Sequence, residues 1–304
     1  MTSRATIRCA LAMVAWMALG SDPPMVRAKE RQAKAFKIKT PDGVQIAAQE
    51  WGDPNGREIL FIHGFSQCHL SWARQFDSEL ANSFRLITYD IRGHGGSDKP
   101  PGAAYYRHHK RWADEMKSVM EAAKLTKPVL VGWSYGGRII AEYLMEYGDE
   151  KIAGINFVAA FTKVVREFLG PATPAILNTS SENLAENIEN TRSFLKFSTA
   201  QPLPLDELQV MLAYNMVVPP QIRGHLLSRP APYEDALKKI SVPVLISHGT
   251  EDRVARISMA GYTARIVKHA QTSIYDDVGH LPFWEAAPRF NRELAEFVIQ
   301  SNKH

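Results

Sequence analysis

The sequence predicts an α/β protein: a mostly parallel central sheet with helices on both faces and a helical cap inserted after the sixth core strand. Three observations predict it. Short continuous apolar runs such as Ile59 to Ile62 and Val129 to Val131 alternate with helix-like stretches, as strands buried on both faces require. The alternation stops at about residue 162 and resumes at about residue 240. At the end of one apolar run stands Gly132-Trp133-Ser134-Tyr135-Gly136, and a helical pattern follows at once.

The elements follow in order. Phe36 to Thr40 and Val44 to Glu50 alternate around Pro41-Asp42-Gly43, which reads as an antiparallel hairpin. Ile59 to Ile62, Arg85 to Tyr89 and Pro128 to Gly132 are the next strands, with helices expected over Trp72 to Ala81, Tyr105 to Lys124 and Arg138 to Tyr147. Ile152 to Val158 is the sixth strand. After the interruption, strands are expected at Val242 to Ser247 and Gln271 to Tyr275, and helices at Arg256 to Lys268 and Pro288 to Gln300. The stretch 162–239 holds eight prolines, from Pro171 to Pro232, among short helical patterns with no strand signal. It reads as a cap over one end of a core formed by 29–161 and 240–304.

The first 28 residues read as a secretory signal peptide. Arg4 and Arg8 give a positive start, Cys9 to Gly20 an apolar run, and Val26-Arg27-Ala28 a peptidase site with small residues. The apolar run is too short for the ~20 residues that span a bilayer, so no stable membrane span is expected in the mature chain. An uncleaved anchoring segment is the alternative; cleavage near Ala28 would deliver an exported protein, periplasmic or secreted. Cys68 would then have no cysteine partner.

The 304 residues are 45% hydrophobic, ample for one large core. Net charge is +4, with 36 basic residues scattered among 32 acidic ones, so no nucleic-acid footprint is visible. The two cysteines lie in no cluster of metal-ligand spacing.

The chemistry is carried by the serine and its partners. Gly-x-Ser-x-Gly is weak as a bare pattern, and an ordinary strand-to-helix turn is the bland alternative. With a strand before it and a helix after it, a sharp turn lifts the Ser134 hydroxyl clear of the sheet. The helix N-terminus adds unpaired N–H groups near developing negative charge. A serine hydroxyl needs a positioned imidazole to take its proton. His280, in Asp277-Val278-Gly279-His280, follows the last strand and precedes the last helix. The imidazole needs a carboxylate to fix its tautomer. Asp252 follows the strand before, with Glu251 its nearest competitor. The chain order serine, aspartate, histidine is the one expected for such a sheet.

Two backbone donors are expected for an oxyanion: the amide of Tyr135, next after the nucleophile, and that of Phe65 in His63-Gly64-Phe65. Trp133, Phe161 and Trp284 fall on loops at the same end of the sheet and are expected, with Phe65 and Tyr135, to line an apolar pocket. Core packing is the alternative for each. Cys68 reads as a small packed side chain.

These segments, with Asp90-Ile91-Arg92-Gly93-His94-Gly95-Gly96-Ser97-Asp98 and His248-Gly249-Thr250-Glu251-Asp252, resemble the α/β-hydrolase superfamily from about Phe36 to Gln300. The N-terminal third is similar to cofactor-free haloperoxidases, dehalogenases and epoxide hydrolases. The last two use an aspartate nucleophile where this chain has Ser134. The resemblance implies that Asp90 to Asp98 is a structural loop, and that neither cofactor nor metal is used. The function it implies is hydrolysis of a small carboxylic ester, an apolar one, through an acyl-enzyme. A carbon–carbon bond hydrolase or perhydrolase on the same residues is the alternative, and a non-catalytic binding protein the alternative of another class.

Overall fold

The computed structural model describes residues 32–302, so the expected signal peptide lies outside the described residues. Eight strands form one sheet: β1 (Lys34–Lys39), β2 (Gln45–Gly52), β3 (Arg57–Ile62), β4 (Phe84–Tyr89), β5 (Val129–Trp133), β6 (Gly154–Val158), β7 (Val244–Gly249) and β8 (Gln271–Tyr275). Their spatial order is β1-β2-β4-β3-β5-β6-β7-β8. β1 pairs antiparallel with β2, and β2 antiparallel with β4; every later pairing is parallel.

The central strands are apolar throughout because both faces are covered. Leu60, Ile62 and Leu130 pack on one side, while Ile59, Phe61, Val129, Val131 and Trp133 pack on the other. That two-residue alternation is the strand's own period, and it sets which way Trp133 points.

Two expected helices are broken. In place of one helix over Trp72 to Ala81 there is a 3₁₀ turn at His69–Trp72 and single turns at Ala73–Phe76 and Leu80–Ser83. The Ser78 hydroxyl donates to the Gln75 carbonyl and accepts from the Leu80 amide, taking the place of backbone ladder bonds. The expected helix from Tyr105 to Lys124 is divided at His108, whose backbone is extended, leaving Ala104–Arg107 and His109–Ala122.

Between β6 and β7 the described residues form helices Thr173–Asn178, Leu184–Phe197, Leu205–Met216, Pro220–Leu227 and Glu234–Lys238, and no strand. The segment has a polar centre. Buried Arg223 donates through Nη1 to Asn187 Oδ1 at 2.9 Å, Thr191 Oγ1 at 2.9 Å and the Thr179 carbonyl at 3.1 Å. No described helix is long and apolar enough to cross a membrane.

Candidate active site

The loops after β3, β5, β6, β7 and β8 supply the site. Ser134 sits between β5 and the helix Tyr135–Tyr147 with φ 53° and ψ −112°, a left-handed conformation no β-carbon residue adopts freely. Two hydrogen bonds hold it there: Ser134 N–H donates to the Val158 carbonyl at 2.9 Å, and Phe161 N–H to the Ser134 carbonyl at 3.1 Å. Gly136 lets this turn lie against β3, since a β-carbon there would meet the Ile62 carbonyl oxygen at 2.3 Å.

Asp252 and His280 are brought together. Nδ1 of His280 donates to Asp252 Oδ2 at 2.7 Å, and Asp252 Oδ1 accepts from the amides of Val254 at 2.8 Å and Ala255 at 2.9 Å. Burial acts to raise the Asp252 carboxyl. The neighbouring His280 and hydrogen bonds from His248 and His280 outweigh it, holding Asp252 well below the usual carboxylate range. With Nδ1 committed as donor, His280 Nε2 is the free acceptor of the neutral ring. Buried Nε2 has no hydrogen-bond partner among the described residues.

The loop after β3 passes against the serine: a β-carbon on Gly64 would meet Ser134 Cβ at 3.3 Å. The amides of Phe65 and Tyr135 have no hydrogen-bond partner among the described residues. Two buried histidines fix this loop. His63 Nε2 accepts from the Ile91 amide and His94 Nε2 from the Ser66 amide, each at 3.1 Å, while each Nδ1 donates to a carbonyl. Burial pushes His63 down to about 4 and holds His94 well below the ordinary imidazole value, so both remain neutral acceptors. The segment Asp90 to Asp98 thus has the structural part the resemblance implied. Asp90, buried, accepts from the His69 and Gly96 amides.

A cavity of about 130 Å³ opens at Ser134. Phe65, Tyr135 and Phe161 line it, and the cap adds Ile176, Phe194 and Leu227. Two expectations are corrected. Trp133 is 1% exposed and packs behind His280, donating from Nε1 to the His280 carbonyl at 2.9 Å, because strand alternation turns it to the opposite face from the cavity. Trp284 lies away from the cavity too. Its Nε1 donates to Glu207 at 2.7 Å and the Arg74 guanidinium stacks on its ring at 4.4 Å.

Sequence reasoning missed three contributors. His248 lies 3.1 Å from Asp252 Oδ2, and its place four residues before the aspartate was the available signal. Glu285, one turn beyond His280, accepts from the amides of Gly279 at 3.0 Å and Ala200 at 2.7 Å, tying the histidine loop to the cap. Arg138, buried on the helix after Ser134, also lines the cavity. Cys68 is buried, its thiol pushed up to about 12 by burial, as suits a packed side chain.

A mostly parallel sheet of this order, with polar side chains gathered at its carboxyl ends under a helical cap, defines the class: a hydrolytic enzyme on an α/β scaffold. The chain belongs to the α/β-hydrolase fold family, whose model matches residues 58–287. Among solved structures, a Burkholderia cenocepacia protein assigned as an aryl esterase is 32% identical, with a TM-score of 0.86 over 89% of this chain and 100% of its own. An esterase from Rhodococcus sp. is 30% identical, with a TM-score of 0.82 over 87% of this chain and 98% of its own. The bifunctional esterase/perhydrolase of Acinetobacter calcoaceticus is 27% identical over 277 residues, 86% of this chain and 98% of its own.

Proposed function

We propose that the enzyme is a serine esterase that cleaves small carboxylic esters through an acyl-enzyme. The observation that carries this reading is the Asp252–His280 pair, which leaves His280 Nε2 as an unpaired base at the cavity end of the sheet where Ser134 stands on its strained turn. Ser134 Oγ attacks the ester carbonyl as His280 Nε2 takes its proton, and Asp252 stabilises the imidazolium. The amides of Phe65 and Tyr135 receive the oxyanion. His280 returns the proton to the leaving alcohol, and water repeats the sequence to release the acid. The esterases among the similar structures support the substrate class.

The experiment is fluorophosphonate labelling of the purified protein with adduct mapping, beside Ser134→Ala, together with p-nitrophenyl ester turnover across acyl lengths. Labelling at Ser134 and loss of turnover in the variant are expected. A folded protein with neither labelling nor turnover would overturn the reading.

The relative that combines esterase and perhydrolase activities favours a second reaction at the same site. Hydrogen peroxide would replace water in attacking the acyl-enzyme, giving a peracid and regenerating Ser134. Peroxide-dependent bromination in the presence of a carboxylic acid tests it. Export completes the proposal, and N-terminal sequencing of the protein from the extracellular or periplasmic fraction, expected to begin after Ala28, tests that.

A further inference from the structure

We infer that Arg138 is the anchor for an anionic group on the acyl portion of the substrate, so that the preferred esters are half-esters whose acid part carries a second, free carboxylate. This rests on the serine-esterase reading of the same cavity.

Arg138 follows Ser134 by one helical turn, about 6 Å along the helix axis. It is 5% exposed and lines the cavity whose other walls are almost wholly apolar. Two of its three nitrogens are committed: Nε donates to Tyr233 Oη at 3.1 Å, and Nη2 to the carbonyls of Arg229 at 2.9 Å and Pro230 at 3.0 Å. Nη1 has no hydrogen-bond partner among the described residues, so its donors are left to whatever fills the cavity.

The charges around it do not balance. Arg229 is paired with Glu142, both side chains 1% exposed, and Tyr233 also donates to Glu142. That pair neutralises itself, and Arg138 remains as a buried cation without a carboxylate of its own. Stacking of its guanidinium on the Tyr135 ring at 4.9 Å offsets part of the burial without cancelling the charge. A buried charge is stable when an opposite charge reaches it, and the cavity is the route by which one arrives. Tyr135 adds a second donor. Its hydroxyl accepts from Arg229 and donates to no protein group among the described residues. A carboxylate set between Arg138 Nη1 and Tyr135 Oη would lie a few bonds from a carbonyl held at Ser134.

The bland alternative is that Arg138 only clamps the cap through Arg229, Pro230 and Tyr233. The two are separated by charge-matched substrates. We would measure kcat/KM for the monoethyl esters of glutaric, adipic and pimelic acids against ethyl pentanoate, hexanoate and heptanoate, in which a methyl replaces the free carboxylate. The wild type is expected to prefer at least one half-ester over its neutral partner by tenfold or more, chiefly through KM. Arg138→Gln is expected to collapse that ratio to near one, and Arg138→Lys to restore part of it. Neutral esters hydrolysed faster than all three half-esters by the wild type would overturn the anion site without any variant. So would an unchanged ratio in Arg138→Gln. Fluorophosphonate labelling of Ser134 and turnover of the neutral esters report separately on the esterase reading. If both fail, that reading falls and takes this one with it; if both succeed, an absent preference sinks the anion site alone.

Discussion

His248 places Nε2 3.1 Å from the same Asp252 oxygen that His280 reaches at 2.7 Å, so two imidazoles converge on one carboxylate atom. His248 is fixed by donating to the Ala255 carbonyl at 2.8 Å, next to the amides that hold Asp252 Oδ1. The carboxylate is therefore gripped from both sides before it meets His280. Removing its charge should be far more damaging than removing the grip. Asp252→Asn should lower kcat/KM by about 10³- to 10⁴-fold, since the amide both loses the charge and misdirects the His280 tautomer. His248→Phe removes the one Nε2–H that the Ala255 carbonyl and Asp252 Oδ2 share, worth about 1 to 1.5 kcal/mol, and should cost roughly tenfold in kcat with little change in KM. Steady-state kinetics of the two variants, with circular dichroism to confirm folding, checks the ranking. Equal losses would mean that His248 is itself part of the proton path.

The Ser134 turn stores strain that the fold holds in place. With φ at 53° and ψ at −112°, any residue bearing a β-carbon is disfavoured there. Ser134→Ala keeps the β-carbon and should leave stability close to wild type. Ser134→Gly relieves the clash and should be more stable than Ser134→Ala by about 1 kcal/mol, with both expected to be inactive. Urea denaturation of the pair is the measurement. A less stable glycine variant would show that the turn is not strained.

The parts of the site legible in the sequence are those encoded by contiguous residues. Ser134 follows the apolar strand β5 directly, and Asp252 and His280 stand on the short loops after β7 and β8, so the order of strands along the chain delivers all three to one end of the sheet. The Phe65 amide is placed in the same way, by the glycine beside it. Legibility failed where direction depends on partners distant in sequence. Trp133 and Trp284 stand beside site residues in the chain and face away from the cavity. One is turned by the strand's alternation, the other is held by Arg74 and Glu207. Arg138 was overlooked for the opposite reason. A basic residue in a helix reads as solvated, and only the cap residues Arg229, Pro230 and Tyr233 make it a buried one. The broken helix over Trp72 to Ala81 is a similar case, where the Ser78 hydroxyl competes for backbone partners that periodicity assigns to the ladder.

Acyl preference should be set by the cap wall. Ile176 and Leu227 come from two cap helices and reach the cavity beside Phe194 and Phe65. At about 130 Å³ the cavity is close to the ~150 Å³ that accommodates a benzene in an engineered core, so short acyl groups fit best. Ile176→Ala should move the optimum of a p-nitrophenyl ester series towards longer chains, with KM falling for the longer members. Ile176 is only partly buried, so the stability cost should sit near the low end of the roughly 2 to 5 kcal/mol range for such truncations. An unchanged chain-length profile would place the acyl group elsewhere.

Acid should loosen the loop after β3 before it protonates the carboxylate. His63 titrates near its ordinary value of 6.5 when unfolded and is pushed down by burial to about 4 in the fold, against the pull of Asp90. Between those two values the unfolded chain binds a proton that the native chain refuses, so stability rises with pH across the window and falls as pH drops through it. From pH 7 to pH 5 His63 alone should remove about 2 kcal/mol. His94, depressed in the same direction, adds to the loss. Asp252 has the opposite chemistry. Its folded carboxyl lies below the usual range, so its contribution is intact above the unfolded carboxylate value and fades only at lower pH. Urea midpoints taken at half-unit steps should therefore fall steadily from pH 6.5 to pH 4, at constant m-value. A flat profile down to pH 4.5, with the loss confined to more acid solution, would assign the pH dependence to the carboxylates and leave the buried histidines without a part in it.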